Sequence, residues 1–239
     1  MAFVRALRHA RDPIRSLMEG GGHHPSALRN RPHILAALQE LLPSFNATEG
    51  TALEIASGSG AHVEVFADAF PKLRWQPTEL DDGACARITT CLEGRPTVNA
   101  AVQVDCSAPF GEWGVPSGNA LCYNSNMFHI SPWETAGKGL LAGAGAALRP
   151  GGVLVTYGPY KIDGEFTTES NRAFDESLRA RDPRWGYRDV ADVAAEAARH
   201  GLVLKHRRDM PANNFLLAFV KAADDDGAAA PEAAAAAEH

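Results

Sequence analysis

The chain has 239 residues, is 45% hydrophobic and carries a formal net charge of −6. That suits one α/β domain with a real core, and it excludes a surface built to hold a polyanion such as DNA or bulk RNA. The four cysteines (Cys85, Cys91, Cys106, Cys122) lack C-x-x-C spacing and read as reduced core residues of an intracellular protein, and no run approaches the apolar length of a membrane span.

Residues 1–24 interleave Arg5, Arg8, Arg11 and Arg15 with Phe3, Val4, Leu7, Ile14 and Leu17. This basic amphipathic pattern fits either a plain N-terminal extension of a cytoplasmic protein or a mitochondrial presequence. Gly20–Gly22 marks a joint, and the domain is expected to run over 25–221. Ser26–Leu42 repeats Ile34, Leu35, Leu38, Leu41 and Leu42 at helical spacing, with Pro32 placed to suit a first turn. Arg29 and Asn30 sit at the head of this helix, where they would border a substrate site.

Thr51–Asp81 is the organising stretch. It predicts a buried strand (Ala52–Ala56), a glycine turn (Ser57–Gly60), a helix (Ala61 to about Phe70) and a second strand stopping at Glu79. Gly58 and Gly60 let a ligand approach the backbone, and the following helix offers free N–H groups. Glu79 stands about twenty residues after the turn, where a ribose hydroxyl pair is usually held. Val63 occupies the third glycine position of the dinucleotide fingerprint. Glu54, ahead of the turn, suits a cationic ligand better than a pyrophosphate.

Asp82–Gly94 reads as a helix and Ala100–Val104 as a third strand, ending in Asp105–Cys106. Asn119–Tyr123 is a fourth strand, running into the polar stretch Asn124–Trp133. That stretch falls where an open α/β sheet places its ligand crevice. A helix over Trp133–Leu148 leads to strand five, Val153–Tyr157. An insertion, Ile162–Gly186, precedes a helix over Tyr187–His200. Leu202–Arg208 and Asn214–Lys221 close the sheet as a strand pair. Residues 222–239 are acidic and then alanine-rich, without large apolar side chains, and predict a disordered tail. The tally is a Rossmann-like, seven-stranded, mostly parallel sheet with an antiparallel last strand and helices on both faces.

Two segments, E-x-A-S-G-S-G (Glu54–Gly60) and L-R-P-G-G-V-L-V-T-Y (Leu148–Tyr157), resemble hallmarks of class I S-adenosylmethionine (SAM) methyltransferases. Further segments narrow the resemblance. They are P-S-A-L-R-N (Pro25–Asn30), W-Q-P-T-E (Trp75–Glu79), N-M-F-H-I-S-P-W (Asn126–Trp133), Y-G-P-Y-K (Tyr157–Lys161), Ser170–Gly186, R-D-V (Arg188–Val190) and M-P-A-N-N (Met210–Asn214). Together they resemble the family known as domain of unknown function 938, or methyltransferase-like 26. Glu79 stands where that family is expected to carry aspartate. The resemblance implies that Glu54, Ala56, Ser57, Gly58, Gly60, Glu79, Asp105, Cys106 and Asn124 hold SAM.

Methyl transfer from a sulfonium is an in-line displacement, so the protein mainly positions donor and acceptor. His129 is a candidate base or acceptor-orienting group. Tyr160, Asn171, Asp175, Arg188 and Asn213 are candidates for the acceptor side, with Arg29 and Asn30. No paired Cys/His or H-E-x-x-H spacing suggests a metal. A small thiol, phenol or carboxylate is the expected acceptor, without nucleic acid or membrane as partner. Two other readings compete: a non-catalytic SAM-binding partner protein, and an NAD(P)-dependent reductase.

Overall fold

The structure is a computed structural model that describes residues 22–223. The expectations for the basic N-terminal segment up to residue 21 and for the tail from 224 lie outside the described residues.

In chain order the elements are α1 (Pro25–Leu41), β1 (Gly50–Ile55), α2 (Ala61–Ala69), β2 (Leu73–Glu79), α3 (Asp82–Cys91), β3 (Val102–Gln103) and β4 (Asn119–Ser125). A π-helical turn (Glu134–Gly139) then leads into α4 (Leu140–Ala147). The chain closes with β5 (Leu148–Gly158), α5 (Glu169–Arg181), α6 (Val190–Ala198), β6 (Leu202–Met210) and β7 (Asn214–Lys221). The sheet order is β3-β2-β1-β4-β5-β7-β6. The first five strands pair in parallel, and β7 runs antiparallel to both neighbours. The chain leaves β1 toward β2 on one side and returns to β4 on the other. The carboxyl end of β1 is therefore a topological switch point, where an open sheet leaves a crevice.

Strand alternation divides the core between two faces. Ala52, Trp75, Leu121, Tyr123 and Val155 pack with Ile34 and Leu38 of α1, Val63 and Phe66 of α2, and Ile88 of α3. Leu53, Ile55, Cys122, Leu154 and Phe219 pack with Trp113, with Leu140 and Ala144 of α4, and with Val193 of α6. Phe66 meets Trp75 at 5.5 Å and Tyr123 edge-on at 5.1 Å between ring centroids.

Several boundaries differ from the sequence reading for local reasons. His24 caps α1 by accepting from Ser26 N at 3.2 Å, so the helix starts at Pro25 and Pro32 lies in its interior. β3 is only two residues long, because Trp75 also bridges Val98 and draws the chain along the β2 edge before the strand begins. Asp189 caps Ala191 N at 2.8 Å, so α6 begins three residues later than Tyr187. The inserted segment contains α5, closed at its head by Thr168 accepting from Asn171 N.

α4 is made of small and apolar residues (LLAGAGAA) and is buried nearly all round. At Gly143 an added Cβ would lie 2.1 Å from the Trp113 ring, and at Gly145 2.6 Å from His200 O. Close approach to Trp113 is what the glycine permits. Helix propensity alone favours Gly143→Ala by about 1 kcal/mol, whereas overpacking costs about 1–3 kcal/mol. The clash should win, and Gly143→Ala should lower stability by about 1–2 kcal/mol in urea denaturation. An increased midpoint would show that Trp113 yields freely.

Candidate functional site

The glycine turn sits at the tip of β1 and is sewn to β2. Ser57 N donates to Thr78 O at 2.7 Å. Thr78 returns its own N–H to Ser57 Oγ at 3.2 Å and its hydroxyl to Glu54 O at 2.9 Å. Ala56, at φ 57°, Gly58, at φ 61°, and Gly60, at φ 76°, all adopt left-handed backbone. A Cβ on Gly58 would meet nothing within 4 Å, so the turn faces open space there. Gly60 caps α2 without a side chain, so no capping side chain takes up its first-turn N–H groups.

Glu79 reaches this turn from β2. Its Oε2 accepts from Gly58 N at 2.8 Å and its Oε1 from Leu80 N at 2.9 Å. Burial pushes its pKa above the ordinary range, against the two N–H groups that favour the carboxylate. Val104 N donates to Glu79 O at 2.9 Å, which sets Asp105 two residues beyond the tip of β3. Asp105 is exposed, and its Oδ1 closes a turn by accepting from Ser107 N at 2.8 Å and Ser107 Oγ at 2.6 Å. Cys106 is buried, and burial pushes its thiol up to about 12.

Glu54 is 2% exposed. Its Oε2 has no hydrogen-bond partner, and its Oε1 lies 3.8 Å from His62 Nδ1. Burial pushes Glu54 up to about 8, with Ser57 opposing and Glu79 adding to the rise. Asn124 is fully buried. Its Nδ2 donates to Ile55 O at 2.9 Å and contacts Met127 Sδ at 3.6 Å, while its Oδ1 is unpartnered. Glu54, Ala56, Ser57, Gly58, Gly60, Glu79 and Asn124 are thus gathered at the neighbouring tips of β1, β2 and β4, with Asp105 and Cys106 at the β3 edge.

His129 lies in the loop after β4 and is buried, with Nδ1 unpartnered. A Cβ on Gly158, at the tip of β5, would be 3.7 Å from both His129 Nδ1 and Asn126 Oδ1. The imidazole contacts the rings of Phe174 and Tyr187, each at 6.0 Å. Burial, helped by Arg188, pushes its pKa down to about 4. Arg188 braces the loop rather than facing outward. Its Nε donates to Phe128 O at 3.1 Å and its Nη2 to Ser131 O at 2.8 Å and Arg184 O at 2.7 Å.

Other acceptor-side candidates also have internal partners. Tyr160 is buried in the core, its hydroxyl donating to Thr156 Oγ1 at 2.9 Å. Asp175 is buried, accepting from Tyr187 N at 2.6 Å and Arg179 Nε at 2.7 Å, which fixes the segment leading to Arg188. Asn171 Nδ2 donates to Thr167 Oγ1 at 3.0 Å and to Asn213 O at 3.3 Å, so Asn171 and Asn213 do meet. Arg29 is exposed and Asn30 half-buried on α1.

The neighbour of that pair, Arg31, makes the contact the sequence reading missed. Its Nη1 donates to Glu64 Oε2 at 2.7 Å and to Ala61 O at 3.4 Å. His23 joins Ser59 Oγ at 3.0 Å and Glu64 Oε2 at 3.3 Å. The head of α1 therefore leans on the glycine turn. His62 was also missed. Its signal was position, the first turn of a helix that follows the glycines and packs over the face carrying Glu54.

Because the unfolded histidine titrates near 6.5 and folded His129 near 4, the unfolded chain binds the extra proton first. Stability from this residue is complete above the unfolded pKa and is lost as pH falls through about 6.5 toward 4. Its ring resonances in NMR should stay flat between about pH 5.5 and 8. A midpoint near 6.5 would mean an open, solvated imidazole.

Solved structures share the fold at low sequence identity. An O-methyltransferase family 2 protein from Planctomyces limnophilus, in complex with apigenin, matches with a TM-score of 0.70 and 16% identity, over 89% of this chain and 62% of that one. An O-methyltransferase family protein from Burkholderia thailandensis matches with a TM-score of 0.63 and 14% identity, over 80% and 58%. CalO1, a methyltransferase in calicheamicin biosynthesis in its SAH-bound form, matches with a TM-score of 0.59 and 16% identity, over 78% and 54%. The chain spans little more than half the length of these proteins. Residues 22–221 match the family model described as "Protein of unknown function (DUF938)", and the chain belongs to that family.

Proposed function

We propose that this protein is a SAM-dependent methyltransferase acting on a small molecule, and that within its family it is a methyltransferase-like 26 protein. Residues 25–221 form its catalytic domain. The observation that carries the reading is Glu54 Oε2, a buried carboxyl oxygen without a partner beside a left-handed glycine turn. A buried polar atom left unmet at a crevice calls for a donor from outside the chain, and an ammonium-bearing nucleoside supplies one. The residues therefore fit SAM. The sheet order and the likeness to O-methyltransferases, one solved with apigenin, support the same reading and a small acceptor.

Bound there, SAM supplies an electrophilic methyl carbon on a sulfonium. The chain supplies position. Glu79, already oriented by Gly58 N and Leu80 N, keeps lone pairs for the ribose hydroxyls. Gly58 and Gly60 give the backbone room, with Ala56 and Ser57 completing the turn. Asp105 has a second carboxyl oxygen for an adenine amino group, and Cys106 stays a neutral thiol at its side. Asn124 Oδ1, buried near the tip of β4, is also unpartnered. His129 is neutral at pH 7, and a conjugate acid near 4 makes it a poor acceptor for an ordinary hydroxyl proton. Orienting the acceptor through Nδ1 is its better role. An already acidic thiol, phenol or carboxylic acid would then need little general-base help.

Arg29, Asn30, Asn171 and Asn213 are assigned to the acceptor side. Tyr160, Asp175 and Arg188 support it from behind. The four cysteines are all free, which suits a reducing compartment, the cytoplasm or the mitochondrial matrix. Among the described residues no helix is long and apolar enough to cross a membrane.

Calorimetry on the full chain should show binding of S-adenosylhomocysteine and none of NADH. Glu79→Ala should weaken it about tenfold or more, the effect of one or two lost hydrogen bonds to a charged group. Preferred binding of NADH would favour the reductase. A turnover screen with SAM over thiols, phenols and carboxylic acids should give methylated product. Binding without turnover across all three classes would favour a non-catalytic partner protein.

A further inference from the structure

Two neighbouring buried side chains each keep an unmet polar atom, Glu54 at Oε2 and His62 at Nε2. Glu54 points from β1 to the face covered by α1 and α2, and His62 comes from the first turn of α2 to meet it. The Oε1–Nδ1 separation is 3.8 Å, beyond a hydrogen bond of about 2.7–3.2 Å. The imidazole is held in place by Phe66 at 5.9 Å and Tyr123 at 5.6 Å. A pair serving only to lock the core would be expected to close. This one stands just short of contact, next to a turn that opens on the crevice.

We propose that His62 is a positioning residue of the ligand site: it closes a hydrogen bond onto the Glu54 carboxylate once a primary ammonium on the ligand draws Glu54 into its ionised form. This rests on the reading of the site as one for an adenosyl amino acid, and it adds His62 and a proton to that reading. The balance is simple. The carboxylic acid of Glu54 meets the ligand's ammonium, one proton leaves to solvent, and a carboxylate–ammonium pair remains, with His62 neutral throughout.

The surroundings explain why the empty pair is uncharged. His62 is faced by Arg31 and His23 from the α1 side, and burial together with these two groups pushes it down to about 4. Arg31 and His23 are themselves tied to Glu64 of α2, at 2.7 and 3.3 Å. Glu54 is faced by His62, by Glu79 of β2 and by Tyr123 of β4. Burial and Glu79 keep it protonated at pH 7. The sign follows. The folded empty protein holds the Glu54 proton up to about pH 8, and the bound form gives it up, so binding strengthens as pH rises toward that value.

The test is calorimetry of S-adenosylhomocysteine binding between about pH 5.5 and 7, where an α-amino group stays largely protonated, in two buffers of different ionisation heat. The affinity should rise about tenfold per pH unit, with about one proton released. Methylthioadenosine, the same nucleoside without the amino-acid end, should bind with a flat profile. His62→Phe keeps the ring packing and removes both nitrogens. It should cost S-adenosylhomocysteine about tenfold and leave methylthioadenosine unchanged. His62→Asn, with an amide N–H near the place of Nδ1, should restore most of the loss. A flat profile for S-adenosylhomocysteine in the wild type overturns the inference, whatever the variants do. So does an equal loss for both ligands in His62→Phe, which marks a purely structural histidine. If methylthioadenosine binds but the amino-acid ligand shows no pH dependence, the nucleoside site stands and only the His62 role falls. If neither binds at millimolar concentration, the site reading fails and takes this one with it.

Discussion

A carboxyl group buried near the end of β1 is the constraint that the neighbouring strand tips are arranged around. Leaving Glu54 charged and alone there would cost several kcal/mol, so the empty protein holds it neutral. Of its neighbours, Ser57 alone favours the carboxylate. His62 stands too far for a hydrogen bond, and Glu79 is another acid. The unmet oxygen thus persists because the surrounding sheet and helices over-determine its position. Strand β1 is flanked on both sides, Ile55 is tied across to Asn124, and Thr78 holds the carbonyl of Glu54 itself.

The rest of the molecule keeps that strand tip rigid. Two core faces clamp the sheet, one lined with Phe66, Trp75 and Tyr123, the other with Trp113 and the small residues of α4. The antiparallel β6–β7 pair extends the sheet beyond β5 and carries Asn213 back toward Asn171. Arg188 and Asp175 bind backbone groups around the His129 loop, so an imidazole with an unpartnered nitrogen is fixed rather than loose. Rigid support of unmet polar atoms is what a preorganised site requires.

The sequence made the sheet legible wherever alternation and glycine punctuation were strong. The run from Ala52 to Glu79 needed no tertiary information, because a buried strand, a two-glycine turn and a helix each have a local signature. β3 was harder, since its brevity depends on Trp75 pairing with Val98 across the sheet edge. The placement of Glu54, Glu79 and Asp105 near strand tips was readable from spacing. The internal partners of Tyr160, Asp175 and Arg188 were not readable. A hydroxyl, a carboxylate and a guanidinium look available in a string of letters until packing supplies Thr156, Tyr187 N and three backbone carbonyls. At the head of α1, Arg29 and Arg31 have the same chemistry, and helix orientation decides that Arg31 is the one that reaches Glu64.

Ala56 carries a further consequence. An L-residue at φ 57° costs roughly 1 kcal/mol against glycine. A methyl group in place of hydrogen also restricts the unfolded chain, by roughly 0.4–1 kcal/mol in the opposite direction. The two nearly cancel. The loop at the tip of β1 is therefore stiffer than three glycines would make it, at almost no thermodynamic disadvantage, and its shape is already set.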